Sequence, residues 1–195
     1  MDVAIGFSVH TGWAVAVVVS GAAAAPTIHD RRRVELVPPD VERFAYHLVQ
    51  DWPIEKARAS VGKAQRAVGR ATDAVVDEMA TVAKGHGTLV GMGVTGLPGA
   101  ELPPLEKVLG AHTLLHTAEG ELYRGALLDA AADRGLPVTP IHPKRGVADV
   151  AVSLGRDPDA FAARLADLRR ELGAPWTADH KLATAAALAA LDATG

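Results

Sequence analysis

Two short apolar segments at the start of the chain predict a β-hairpin. The first runs from Val3 to Val9 and the second from Trp13 to Ser20, and His10-Thr11-Gly12 between them is a turn signal. Charged residues alternate along a third segment, Thr27 to Val37, which stops at Pro38-Pro39. The pattern therefore begins with three consecutive strands.

Helical periodicity dominates the next part of the chain. Asp40 is suited to cap a short helix that reaches Gln50, and Pro53 is tolerated in the first turn of a long helix over residues 54–84. Apolar residues recur there at alternating three- and four-residue steps, which makes one apolar stripe. Many of them are small, so we expect this helix to pack closely against a partner element.

Strands and helices then alternate to the end of the chain. Strands are predicted over residues 87–95 and 136–142, and helices over 112–134, 147–154, 158–172 and 177–193. This order predicts an α/β fold: a five-stranded mixed sheet, with three antiparallel strands followed by parallel additions and with helices on both faces. A chain of 195 residues is short for two domains, so we expect a single domain over residues 1–195.

Composition and charge narrow the classes of protein that fit. Hydrophobic residues make up 49% of the chain and charged residues 22%, as in folded globular proteins. The chain has no cysteine, which excludes disulfides and thiolate metal sites, and its formal charge of −3 argues against a wholly basic nucleic-acid-binding surface. No apolar run reaches the roughly 18 residues of a membrane span. We expect a cytoplasmic protein without a membrane partner.

The element order and two sequence segments resemble the ribonuclease H-like superfamily, in particular RuvC-type Holliday junction resolvases. The segments are IGFSVHTGWAVAVV near the start and ADHKLATAAALAAL near the end. That family opens with a glycine, an apolar residue and an aspartate, followed by Thr-Gly and an aromatic residue; the corresponding residues here are Gly6-Phe7-Ser8 and Thr11-Gly12-Trp13. The resemblance covers most of the chain and implies a fold that in the family carries a two-metal nuclease site.

The same resemblance indicates that most of the catalytic acids are missing. The family takes its carboxylates from the ends of the first and fourth strands and from the start of the last helix, where they hold two Mg²⁺ ions. The corresponding positions here are Ser8, Gly93, Asp179 and Leu182, with Gly91 or Thr95 in place of Gly93 if the strand register shifts by two. Only Asp179 is acidic, so we expect a degenerate site with no metal and no cofactor.

Histidines near this position offer other metal chemistry. The fold would bring the first hairpin near the last helix, and a cluster of Ser8, His10, Asp179 and His180 could then bind Zn²⁺ or Mn²⁺. The alternative is that Asp179 and His180 only serve the start of the last helix, where Thr177 is a good cap. We favour this second interpretation.

A second pair of histidines lies on the helix predicted over residues 112–134. His112 and His116 share one helix face at a spacing that two metal ligands can use. No acid signature accompanies them. We therefore assign no metal site to this pair.

Basic residues line one side of the long predicted helix: Lys56, Lys63, Arg66 and Arg70. Such stripes are common on solvated helix faces. They also complement the charge of a nucleic-acid backbone, although no interleaved aromatic residues are present to stack on single-stranded bases. Weakly bound nucleic acid is therefore the partner that this stripe allows.

Three functional hypotheses follow. The one we favour is a RuvC-like protein without nuclease activity that binds nucleic acid or protein. The second is a divergent metal-dependent nuclease or phosphohydrolase that uses Asp179 with histidines or with Glu101 or Glu106, with Mg²⁺ or Mn²⁺ as cofactor. The third is a structural homodimer joined through the small residues of the long helix. A Pro/Gly-rich loop, GLPGAELPP, follows the fourth strand and is a place where ligands could enter.

Overall fold

The computed structural model of the chain describes residues 1–96 and 101–194 and contains a five-stranded sheet. The strands are β1 (Asp2–His10), β2 (Trp13–Ser20), β3 (Thr27–Glu35), β4 (Thr88–Thr95) and β5 (Val138–Ile141). They lie in the order β3-β2-β1-β4-β5; β1 to β3 pair antiparallel, and β4 and β5 are added parallel to β1. This arrangement confirms the mixed sheet predicted from the sequence.

Helices cover both faces of this sheet, also as predicted. In chain order they are α1 (Ala45–Leu48), α2 (Ile54–Lys84), α3 (Leu105–Leu109), α4 (His112–Asp133), α5 (Gly146–Ser153), α6 (Pro158–Leu172) and α7 (Ala178–Asp192). Helices α2 and α4 pack on one face, and α5, α6 and α7 pack on the other. Within the two described ranges, no helix is both long and apolar enough to cross a membrane.

Strand β1 separates two apolar cores because its alternate residues face opposite sides of the sheet. Val3, Ile5 and Phe7 pack with α2 and α4 on one side. Ala4 packs with α7 on the other side, and Gly6 lies directly beneath the α7 backbone. Helix α7 lies across β1, β2 and β4. Its first turn therefore lies beside the carboxyl end of β1.

The short helix α1 differs from its prediction because a distant residue fixes where it begins. It starts at Ala45 rather than at Asp40. The buried Glu119 carboxylate on α4 accepts hydrogen bonds from the backbone N–H groups of Tyr46 and His47, at 2.9 and 3.1 Å. A contact between residues so far apart in sequence outweighs the local capping signal.

The segment after β4 contains a helix that the sequence pattern does not predict. Pro103-Pro104 favours a loop, but Pro104 immediately precedes α3, where a missing N–H is tolerated. Part of the predicted ligand-entry loop, residues 97–100, lies outside the described residues. Strand β3 also ends two residues before its predicted end, at Glu35.

Small residues of helix α2 are buried against other elements of the same chain. Its apolar stripe is buried against the sheet and against α4; the stripe includes Ala57, Val61, Ala64, Val68 and Met79. The close-packed partner predicted for this stripe is therefore part of the same chain. The buried stripe is therefore not available to join two copies, and a homodimer formed through other surfaces stays a prediction.

Candidate functional site at the end of strand β1

Ser8 and His10 meet Asp179 where β1 ends and α7 begins. Ser8 Oγ donates a hydrogen bond to Asp179 Oδ1 at 3.0 Å, and His10 Nε2 lies 2.8 Å from the same oxygen. Ser8 is 2% exposed, whereas the side chains of His10 and Asp179 are 40% and 29% exposed. One carboxylate oxygen thus joins the first strand to the last helix.

Strand β4 brings Thr95 beside this site, and not Gly93. Gly93 pairs with Gly6, and the next residues on the same face of the two strands are Thr95 and Ser8. The Thr95 hydroxyl accepts a hydrogen bond from the backbone N–H of Val9 at 2.7 Å. Among the β4 positions that the resemblance allows, Thr95 is therefore the one beside Ser8, and it is not acidic.

Gly93 lies instead under the backbone of helix α7. A Cβ added to Gly93 would lie 2.0 Å from the carbonyl oxygen of Ala186, and one added to Gly6 would lie 1.8 Å from that of Ala183. The two glycines let the helix approach the sheet more closely than any side chain would permit. No side chain at Gly93 fits beneath α7, so among the three β4 positions that the resemblance allows, Thr95 is the one whose side chain lies beside Ser8. Which of the three corresponds to the acid of the family stays a prediction.

Leu182 follows Asp179 by one turn of α7 and presents a hydrocarbon side chain. It packs at the edge of the core formed by α5, α6 and α7. A Cβ on Gly146, the first residue of α5, would lie 2.9 Å from Leu182 Cδ1. An apolar contact between α7 and α5 therefore occupies the position that the resemblance assigns to a second acid.

His180 is adjacent to Asp179 in sequence but belongs to the helix cap. Its Nδ1 accepts a hydrogen bond from the backbone N–H of Thr177 at 3.2 Å and lies 2.8 Å from Thr177 Oγ1. Burial of the ring, followed by the nearby Arg31 cation, lowers the pKa of His180. The predicted cluster of four therefore reduces to Ser8, His10 and Asp179, and the capping interpretation holds for His180.

A stack of three side chains extends the site along the hairpin. The His10 ring lies on the Trp13 indole with centroids 4.1 Å apart and planes within 8° of each other. The Arg33 guanidinium lies 4.1 Å from the centroid of the same indole. Sequence reasoning missed this stack, although the pairing of β2 with β3 places Arg33 one diagonal step from Trp13.

The donor set at Asp179 does not fit two-metal catalysis. Two Mg²⁺ ions need several carboxylate oxygens, and within residues 1–96 and 101–194 no group of three acidic or histidine ligands forms around Asp179. Glu106 cannot supply one, because it binds Arg58 on α2 at 2.6 Å, on the other side of the sheet. Exposed Glu101 joins no such group either.

The same geometry does not form an activated serine. A serine nucleophile needs a neighbouring base that takes its proton and access to a substrate. Ser8 is buried, and its hydroxyl donates to Asp179 rather than to the His10 ring. The group therefore joins β1 to α7 and has a partly exposed imidazole and carboxylate on its outer side.

The predicted basic stripe lies on the opposite face of the sheet from Asp179. Its four members are exposed on the first half of α2: Lys56, Lys63, Arg66 and Arg70. None of them forms an ion pair with another residue in the described part of the chain. On the second half of α2, by contrast, Asp73 and Asp77 both bind Arg134. Helix α2 is therefore cationic at its first half only.

Comparisons with known proteins bear on the fold. No family model matches the chain, and no curated protein matches it. The solved structure of Thermus thermophilus RuvC in complex with a Holliday junction substrate superposes with a TM-score of 0.55 at 15% identity, over 97% of this chain and 92% of that one. Another Thermus thermophilus RuvC structure gives a TM-score of 0.51 at 16% identity, over 96% and 91% of the two chains. The chain has a ribonuclease H-like fold.

The RuvC-like fold explains why residues from distant parts of the sequence meet at one edge of the sheet. The ends of β1 and β4 and the start of α7 converge there and bring together Ser8, Thr95 and Asp179. At 15% identity the likeness establishes the fold, and the chemistry of this edge follows from the chain's own side chains. Those side chains provide one carboxylate, two hydroxyls and one imidazole.

Proposed function

We propose that this chain is a nucleic-acid-binding protein of RuvC-like fold that has no nuclease activity. The observation that carries the proposal is the environment of Asp179, whose Oδ1 is shared by Ser8 and His10. A single carboxylate that already accepts from two neighbours does not compensate the charge of two divalent cations. The fold is retained while the chemistry of the two-metal site is absent.

The cationic half of α2 supports the binding part of the proposal. Its four exposed basic residues are free to neutralise phosphates, because they have no ion-pair partner among the described residues. Each neutralised phosphate releases condensed counterions, which favours binding at low salt. One solved structure with this fold is RuvC in complex with a Holliday junction substrate, so branched DNA is the first nucleic acid to test.

Cleavage and binding are best measured side by side on the wild-type chain. With Mg²⁺ or Mn²⁺ we expect no cleavage of branched DNA, single-stranded DNA or RNA–DNA hybrids. By fluorescence anisotropy we expect binding to branched or duplex DNA at about 50 mM salt that falls steeply by about 200 mM. Asp179→Asn is the matched control, since it keeps the shape of the side chain and removes its charge.

Two results would overturn separate parts of this function. Robust metal-dependent cleavage that disappears in Asp179→Asn would contradict the absence of nuclease activity and identify a divergent nuclease. Failure to bind any of these nucleic acids at low salt would contradict the proposed nucleic-acid binding. In that case the stripe on α2 would be only a solvated helix face.

A further inference from the structure

Three histidine side chains from two helices meet on the side of the sheet opposite Asp179. His47 lies on α1, and His112 and His116 lie one turn apart on α4. One ring nitrogen from each lies within 4.8 Å of the other two, and within residues 1–96 and 101–194 this is the only such group of histidines or acids. The sequence pattern shows the pair on α4 but not the third ring.

The spacing of the three rings is close to that of ligands around one metal ion. The Nε2 atoms of His112 and His116 are 3.0 Å apart, and the His47 ring centroid lies 4.9 Å from that of His116 and 6.1 Å from that of His112. Around a tetrahedral zinc ion with Zn–N bonds of about 2.0–2.1 Å, ligand nitrogens lie about 3.3 Å apart. His112 and His116 are exposed, so small side-chain rotations would complete the geometry.

The buried Glu119 carboxylate beside His47 gives a second indication of a cation. Glu119 is 2% exposed, and its Oε1 accepts from the backbone of Tyr46 and His47 and lies 3.1 Å from His47 Nδ1. Its Oε2 is buried and has no hydrogen-bond partner among the described residues. A buried carboxylate with one unpartnered oxygen is costly unless a positive charge lies nearby.

Glu119 is also placed to orient one of the three rings. A hydrogen bond from His47 Nδ1–H to the carboxylate leaves Nε2 with its lone pair free for a metal. Carboxylate–histidine–metal arrangements of this kind are common, because the carboxylate fixes the ring and raises its basicity. Helix α4 thus supplies two ligands and the carboxylate, and α1 supplies the third ligand.

We propose that His47, His112 and His116 form a Zn²⁺ site and that Glu119 is its positioning residue. Three imidazoles suit zinc, whereas Mg²⁺ and Ca²⁺ require oxygen ligands. The two exposed rings on α4 leave the fourth coordination position open to solvent, where water or an external ligand binds. This site is separate from Asp179 and does not depend on the proposed nucleic-acid function.

The test is a calorimetric titration of the full-length chain with Zn²⁺, together with Co²⁺ as a spectroscopic substitute. We expect one Zn²⁺ per chain, a rise in Tm on binding, and the intense visible bands of four-coordinate Co²⁺. His47→Ala, His112→Ala and His116→Ala should each weaken Zn²⁺ binding by more than the roughly 10–100-fold that outer-shell changes produce. His86→Ala removes an exposed imidazole that stacks on His29 instead, so it should bind as wild type.

Glu119→Gln separates a positioning role from a purely structural one. The amide can still accept from the backbone of α1, so we expect a folded protein whose Zn²⁺ affinity falls by roughly 10–100-fold. Should that variant not fold, His47→Ala still tests the Zn²⁺ site, because the His47 side chain is 26% exposed and its loss leaves the α4 pair intact. Wild-type affinity in His47→Ala, a six-coordinate Co²⁺ spectrum, or no Zn²⁺ binding by the wild type would each overturn the site.

Discussion

Gly6 on β1 and Gly93 on β4 are paired across two parallel strands, and both face the backbone of α7 with no side chain between. The pair determines how closely the last helix approaches the sheet. It therefore also determines how closely Asp179, in the first turn of that helix, approaches Ser8. The hydrogen bond between these two side chains depends on two positions that carry no side chain at all.

Gly93→Ala should destabilise the protein, because its new methyl group would collide with the carbonyl of Ala186. We expect the free energy of unfolding to fall by about 1–3 kcal/mol, or more if α7 cannot shift. The matched control is Gly69→Ala on α2, where nothing lies within 4 Å of the new atom; it should stabilise by about 1 kcal/mol. Urea unfolding of both variants checks this, and equal effects would contradict the packing described for α7.

Ser8→Asp should be less stable than Ser8→Asn in the absence of metal. Both variants enlarge the same buried position, but the aspartate adds a second carboxylate beside Asp179, and like charges there repel each other. Mn²⁺ should raise the Tm of Ser8→Asp and leave that of Ser8→Asn nearly unchanged, since only the first has two carboxylates to share an ion. Identical unfolding curves for the two variants, with and without Mn²⁺, would show that charge at this edge has no effect.

Stability should fall as the pH is lowered below about 7, in part because of His180. Burial, followed by the Arg31 cation, lowers the pKa of this ring below its ordinary value of 6.5. The unfolded chain therefore binds the proton first, and unfolding becomes easier as the pH falls through 6.5 towards the lower native pKa. One such group contributes at most about 1.4 kcal/mol per pH unit.

His180→Gln is the variant that isolates this contribution. Glutamine three residues after Thr177 reproduces the usual capping box, so the start of α7 should be retained while the titrating group is removed. The slope of unfolding free energy between about pH 7.5 and pH 5.5 should decrease. Some slope should remain, because burial, followed by His86, also lowers the pKa of His29. If the slope of His180→Gln equalled that of the wild type, His180 would not contribute to the pH dependence of stability.

The salt dependence of DNA binding should identify the surface that contacts phosphates. Lys63→Ala/Arg66→Ala removes two charges from α2, and we expect it to flatten the slope of log K against log salt by about 1.8. Lys144→Ala/Arg145→Ala removes two exposed charges just before α5, on the opposite face, and should leave the slope unchanged. If the Lys144/Arg145 variant flattened the slope and the Lys63/Arg66 variant did not, the binding surface would lie at the edge of the sheet near Asp179.

The fold was predictable because its signals are local and repeat along the chain. Three strands followed by alternating helices and strands already define the mixed sheet, and the apolar stripe of α2 defines the face that it buries. The contact between Ser8 and Asp179 was predictable as well, through the resemblance carried by the first strand and the last helix. That the chain forms a single domain over residues 1–195 stays a prediction.

What could not be predicted depends on contacts between distant elements. Gly93 and Thr95 both lie on the same face of β4, and only the position of α7 shows which of them is beside Ser8. The sequence shows that Glu119 follows His116 by three residues. Its contact with His47, however, depends on how α1 packs against α4, which no local pattern predicts. No spacing rule connects those two residues.

The two outer strands of the sheet also affect how the protein behaves at high concentration. An open strand edge is a template on which another chain can form β-structure, and charged side chains or proline reduce that risk. The β3 edge carries the run Arg31-Arg32-Arg33. Pro137, just before β5, and Ile141, at its end, direct their carbonyls towards β4. Pro140 therefore lies at an outward-facing position of β5, where it has no N–H to offer an incoming strand. Both edges therefore resist the edge-to-edge pairing that leads to aggregation.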